Sequence, residues 1–211
     1  MKFVALIALA LALAAGCGSA AGSPSPSASV AASIAPSVAA STAPSMAPSV
    51  SAPAASVGAD GLPHDDPDLE ARLPSVVDGS PLAVFSVGPL TVAGNPGADP
   101  IKDLAKELGD GSGNFGLAFA NDPSTPTFNL FALRVPGATS GELLARYGLL
   151  TVADTAGATS ETVTLGGKEV LHVTSPGNEI GDVWIYATGD TVFGVQAGSA
   201  DQAGALLVLL P

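Results

Sequence analysis

Hydrophobic and polar positions divide this chain into three stretches of different character. Residues 3–15 (FVALIALALALAA) contain no polar side chain. Residues 18–58 mix alanine, serine and proline with scattered Val, Ile and Met, and sustain no period. From Asp60 onward charged residues enter, and apolar positions recur at helix and strand spacings.

The third stretch predicts a series of short elements. HDDPDLE, residues 64–70, reads as a helix start, with Asp66 as N-cap and Pro67 in the first turn. Residues 82–87 (LAVFSV) read as a strand. Asp99-Pro100 opens a second helix, IKDLAKEL, with Ile101, Leu104, Ala105 and Leu108 on one face and Gly109 as its stop. FGLAFA (115–120) and FNLFALRV (128–135) are strands on either side of the turn-rich NDPSTPT. Thr139 to Glu142 form a capping box ahead of the helical LLARYGLL. Residues 161–165 and 168–174 flank Gly166-Gly167, the composition of a tight hairpin. Residues 183–187 and 191–197 pair across Thr188-Gly189-Asp190, and Ser199 caps a last helix, AGALLVLL.

This order predicts an α+β domain with a mostly antiparallel sheet and helices packed on one face. FNLFALRVPGATSGELL and TVFGVQAGSADQAGALL share a strand, a glycine, a capped helix and a leucine pair. An internal duplication would explain that weak match.

Charge narrows the partners. All 19 Asp and Glu, and six of the seven Lys and Arg, lie after residue 59, so residues 60–211 carry 6 − 19 = −13. Nucleic acid and anionic membrane surfaces need clustered Lys and Arg, which this domain lacks. A cationic partner, a metal ion or plain solubility fits the balance.

The N-terminus predicts an address. Lys2 precedes about 13 apolar residues, roughly 20 Å of helix against a hydrocarbon core of about 30 Å. That pattern reads as a secretory signal peptide over residues 1–16. Small residues then meet the chain's one cysteine in Ala14-Ala15-Gly16-Cys17. This stretch resembles the lipobox of bacterial lipoproteins, with Ala14 where that family most often has leucine. The resemblance covers residues 1–17 and implies cleavage before Cys17. Cys17 then becomes the N-terminus and bears diacylglycerol, usually with a further acyl chain. Two or more chains hold a protein stably on a membrane where one does not. Ordinary cleavage near Ala20-Ala21 is the rival, and would release a soluble protein.

Residues 17–59 then form a spacer with no charged residue, in which IAPSV, TAPSM and MAPSV recur loosely. It lacks the large apolar side chains that offset ordering entropy, so disorder is expected. Extended, it would reach on the order of 130 Å; as a coil its ends would sit roughly 35 Å apart.

Candidate chemistry is sparse. His64, Asp65, Asp66 and Asp68 could ligate Ca²⁺ or Zn²⁺, but the helix cap is the preferred reading. Asp110-Gly111-Ser112-Gly113-Asn114 opens like a calcium loop, yet Phe115 and Asn121 stand where an EF-hand needs Gly and Glu, so a plain turn is preferred. His172 lies mid-strand with no G-x-S-x-G elbow in the chain. Trp184 and Tyr186 share one strand face; they fit a core, or a ligand platform beside a groove. No cofactor is implied.

The resulting expectation is a lipid-anchored protein on the extracytoplasmic side of the cell membrane, held through Cys17. Its domain would be a non-enzymatic binding module for a protein or envelope ligand. The alternatives are a hydrolase acting on envelope material through paired carboxylates, and a lipoprotein that captures a small solute or metal.

Overall fold

The computed structural model describes residues 57–124 and 127–211. The expected signal peptide, Cys17 and nearly all of the spacer lie outside the described residues. In chain order the elements are α1 (Pro67–Glu70), β1 (Val76–Val77), β2 (Ser80–Pro81), β3 (Ala83–Val87), a 3-10 turn (Pro96–Ala98), α2 (Asp99–Leu108), β4 (Gly116–Asn121), β5 (Phe128–Arg134), α3 (Ser140–Asp154), β6 (Ser160–Leu165), β7 (Lys168–Val173), β8 (Asp182–Thr188), β9 (Thr191–Ala197) and α4 (Ala200–Val208).

Local chemistry sets most of these boundaries. The side chains of Asp66, Thr139 and Ser199 accept from the backbone N–H groups of Leu69, Glu142 and Gln202, capping α1, α3 and α4. Gly166 and Gly167 take φ of +59° and +76°, the left-handed pair that a two-residue hairpin needs, so β6 and β7 close with Leu165 opposite Lys168. The same device makes a small hairpin that the sequence reading passed over. Asp78 (φ +50°) and Gly79 (φ +80°) turn β1 back on β2.

The fold is α+β, as expected. Strands β3 to β9 form one sheet in the order β3-β4-β5-β9-β8-β7-β6, with every neighbouring pair antiparallel. The helices cover both faces of this sheet rather than one. On the first face α2 and α3 bring Ile101, Leu104, Leu143 and Tyr147 onto Phe119, Phe131, Leu133 and Ile185. On the second, α1 and α4 bring Leu69, Leu206 and Leu207 onto Leu130, Trp184, Phe193 and Val195. The physical reason lies in the strands: all seven positions of β9 and all six of β4 are buried, so neither face of the centre can be left to water.

The two segments with matching sequence patterns contribute β5 with α3, and β9 with α4. Their strands lie side by side at the sheet centre, but their helices sit on opposite faces. The likeness is therefore local and is not repeated in the packing.

The sheet has two edges. On the outer side of β3, Ser86 N–H donates to Pro63 O (3.0 Å) and Ser86 O accepts from Asp65 N–H (3.3 Å), so residues 63–65 lie along it as a short parallel addition. Among the described residues, Val57 forms an isolated antiparallel bridge with Pro63. β6 forms the opposite edge.

Phe131 and Gly194 are opposite each other in the β5–β9 pair, and the phenyl ring lies across the glycine. A Cβ at position 194 would overlap that ring. Gly194→Ala is expected to destabilise the domain by about 1–3 kcal/mol through overpacking. Adding Phe131→Leu should recover part of the loss. Urea unfolding of the single and double variants measures both, and additive losses would count against the ring-over-glycine account.

Candidate functional site

Two features stand out from the scaffold: a polar chain under α1, and a groove between α2 and α3. The polar chain begins at Ser86, whose side chain is fully buried on the second sheet face. Its hydroxyl accepts from Asp66 N–H (2.7 Å) and donates to Glu70 Oε1 (2.5 Å). Glu70 Oε2 meets His64 Nδ1 at 2.8 Å, and His64 Nε2 meets Asp60 Oδ1 at 3.2 Å. Beside this chain, Asp66 Oδ2 accepts from Arg134 Nη2 at 2.6 Å. Asp66 lies directly over Gly116, where a Cβ would strike its carboxylate. Asp65 is engaged in turn by Gly88 N–H (2.8 Å) and by the Thr91 hydroxyl.

The candidate metal ligands are thus drawn into separate structural bonds. Asp66 caps α1 and pairs with Arg134, Asp65 ties down the loop after β3, His64 bridges two carboxylates, and Asp68 lies exposed in the first turn of α1. Among the described residues no three His, Cys, Asp or Glu side chains are grouped to hold a metal ion. Nor is the chain a nucleophilic triad. The Ser86 hydroxyl donates to a carboxylate rather than to the imidazole, and nothing from solvent reaches it.

The remaining candidates are also placed. His172 is half-buried, stacked on Trp184 at 4.8 Å between ring centres, with Nε2 2.9 Å from Asp182 Oδ2 and Nδ1 3.4 Å from Glu161 Oε1. Trp184 and Tyr186 are 3% and 7% exposed. Tyr186 stacks on Phe193, and its hydroxyl donates to the Pro211 carbonyl at 2.5 Å. Burial pushes the Tyr186 phenol up to about 12. The Asp110 segment is a turn in which Ser112 N–H donates to Asp110 Oδ1 at 2.9 Å, and these serine bonds lower the Asp110 pKa.

The groove runs between α2 and α3, which lie antiparallel: Glu107 pairs with Arg146 at 2.6 Å, while Asp99 shares the other end with Ala153. It encloses about 600 Å³. Asp99, Asp103 and Glu107 line one wall at helical spacing, and Arg146, Leu149 and Ala153 line the other. Leu104 and Leu150 lie between, and Leu149 stands 61% exposed. A second cleft of about 450 Å³ lies between the end of α3 (Asp154 to Ala156) and the loop from Pro176 to Ile180. Neither cleft is lined by Trp184 or Tyr186. From the sequence, only the apolar face of this helix is expected; the carboxylates of Asp99, Asp103 and Glu107 recur every fourth residue, but the opposite wall exists only through the antiparallel packing of α2 on α3.

The polar chain makes stability depend on pH. A protonated His64 donates to both Glu70 and Asp60, whereas a neutral imidazole has one N–H and can satisfy one of them. The Glu70 bond is the main cause that holds the His64 pKa above its ordinary value; desolvation opposes it, and the Asp60 bond adds a smaller push in the same direction as Glu70. Folding therefore favours the protonated ring. That contribution is full below the unfolded value of about 6.5 and is lost as pH rises through the higher folded one. Asp60 has the opposite sign: its pKa is lowered by the Leu62 N–H and then by His64, so its contribution is lost as pH falls through the lowered value. The pair is strongest between the two. His64→Gln should flatten the fall in stability above pH ~6.5, read by urea unfolding across pH. An unchanged slope in the variant would sink the assignment.

Comparisons with known proteins return nothing similar: no family model, curated protein or solved structure matches this chain.

Proposed function

We propose that this protein is an exported lipoprotein whose acidic α+β domain is a non-enzymatic binding module, presented at the extracytoplasmic face of the membrane through a lipid on Cys17. The observation that carries the binding reading is the groove between α2 and α3. It joins an apolar floor and an exposed leucine to a row of carboxylates, on a domain whose other polar clusters serve its own folding. The address is supported by Ala14-Ala15-Gly16-Cys17 behind an apolar stretch too short to span a bilayer. Among the described residues no helix is long and apolar enough to cross a membrane. The smaller cleft at the end of α3 favours a second reading, capture of a small solute, since its size suits a small molecule.

The address is tested by feeding radiolabelled palmitate to bacteria expressing the full chain. The expected outcome is label on the wild-type chain and its recovery with membranes. Cys17→Ser should abolish the label and release the chain to the soluble fraction, with unchanged thermal unfolding of the domain. Label retained by Cys17→Ser would overturn the anchor.

A further inference from the structure

We propose that the groove between α2 and α3 docks a basic amphipathic helix belonging to a protein partner. The inference deepens the binding-module reading above, and it does not depend on the lipid.

The shape comes first. Two antiparallel helices leave between them a furrow into which a third helix packs, ridge into groove. Asp99 to Glu107 covers nine residues, eight steps of the helix or roughly 12 Å of wall. That length matches roughly two to three turns of an incoming helix. Leu149 and Leu150, backed by Leu104, offer the apolar strip such a helix needs on one face.

Charge then selects the occupant. At one end of the acidic wall Asp99 is answered by Lys102 (3.3 Å), and at the other Glu107 by Arg146 (2.6 Å). Asp103, midway along the wall, is paired with no cation among the described residues. Lys106 does not fill the role, since its stem lies against Gly113 on the loop after α2. The groove thus presents one unpaired carboxylate across from one exposed leucine. A helix fits if it carries a Lys or Arg one turn from its apolar residues.

The same charge weighs against other occupants. A second copy of this domain would bring another −13 to an acidic wall. An anionic lipid surface is repelled likewise. The chain's own residues 18–58 contain no Lys or Arg to meet Asp103.

The test uses the full-length chain in detergent and a synthetic helical peptide of about 14 Leu and Lys residues with its leucines on one face. A scrambled peptide of the same composition is the comparison. The expected result is micromolar binding of the ordered peptide, weaker at about 300 mM than at about 50 mM salt. A zero-length carbodiimide should couple its lysines to Asp103. Asp103→Lys should weaken binding roughly tenfold by turning an attraction into a repulsion. Leu149→Ser should weaken it several-fold, and Asp201→Lys, the same charge change on α4 across the sheet, should leave it within about twofold. Both positions 103 and 149 are exposed, and circular dichroism confirms that each variant is folded. Equal binding of the scrambled peptide, an equal loss in Asp201→Lys, or coupling confined to carboxylates outside the groove would overturn the proposal. Ordered-peptide binding that ignores Asp103 and Leu149 overturns the groove while leaving the binding-module reading in place. No binding by the ordered peptide overturns the basic-helix occupant, and the palmitate experiment then still decides the anchor independently.

Discussion

The centre of the sheet is buried from both sides, and most of the architecture follows from that constraint. Every position of β9 is buried, as are six of seven in its neighbour β5 and the four central ones of β8. A strand of this kind needs apolar cover above and below, so the helices divide: α2 and α3 on one face, α1 and α4 on the other. Even the one glycine in β9 obeys it, since Phe131 fills the space that its missing side chain leaves.

The polar chain under α1 shows how that enclosure handles buried oxygen and nitrogen. Ser86 faces the core side of an edge strand, where an unpaired hydroxyl would cost about 1–3 kcal/mol. Asp66 and Glu70, from the helix directly above, satisfy it from both sides. His64 extends the line outward, so the bonds run from the interior to the exposed Asp60. Arg134 completes the arrangement by compensating Asp66 above Gly116. These residues are rich in chemical groups, yet each group is already occupied by another.

How much of this could be read from the chain depends on how local the cause is. Caps at Asp66, Thr139 and Ser199 and the Gly166-Gly167 turn depend on residues within four positions of each other, and sequence reasoning places them. Asp78-Gly79 carries the same kind of signal in a hairpin so short that it has almost no strand around it. The side each helix would cover was not legible, because FNLFALRV carries apolar residues at both odd and even positions and gives no alternation from which to read a face. The polar chain was invisible for a different reason. Nothing about a serine in LAVFSV shows that Glu70 will lie above it; only the docking of α1 on β3 brings them together. The groove belongs to this second kind, since Asp103 and Leu149 are far apart in sequence and meet across a helix pair.

The short addition along β3 has a consequence for molecules held close together. The outward donor and acceptor of Ser86 are taken by residues 63–65, and the Leu82 N–H is taken by Ser75 O at 2.8 Å. A neighbouring copy approaching that edge finds fewer free backbone groups to pair with, and so a poorer template on which to extend the sheet from one molecule into the next. Crowding on a surface would press such edges together continually. At Ser86 the covering of β3 leaves such a neighbour no backbone donor or acceptor to pair with.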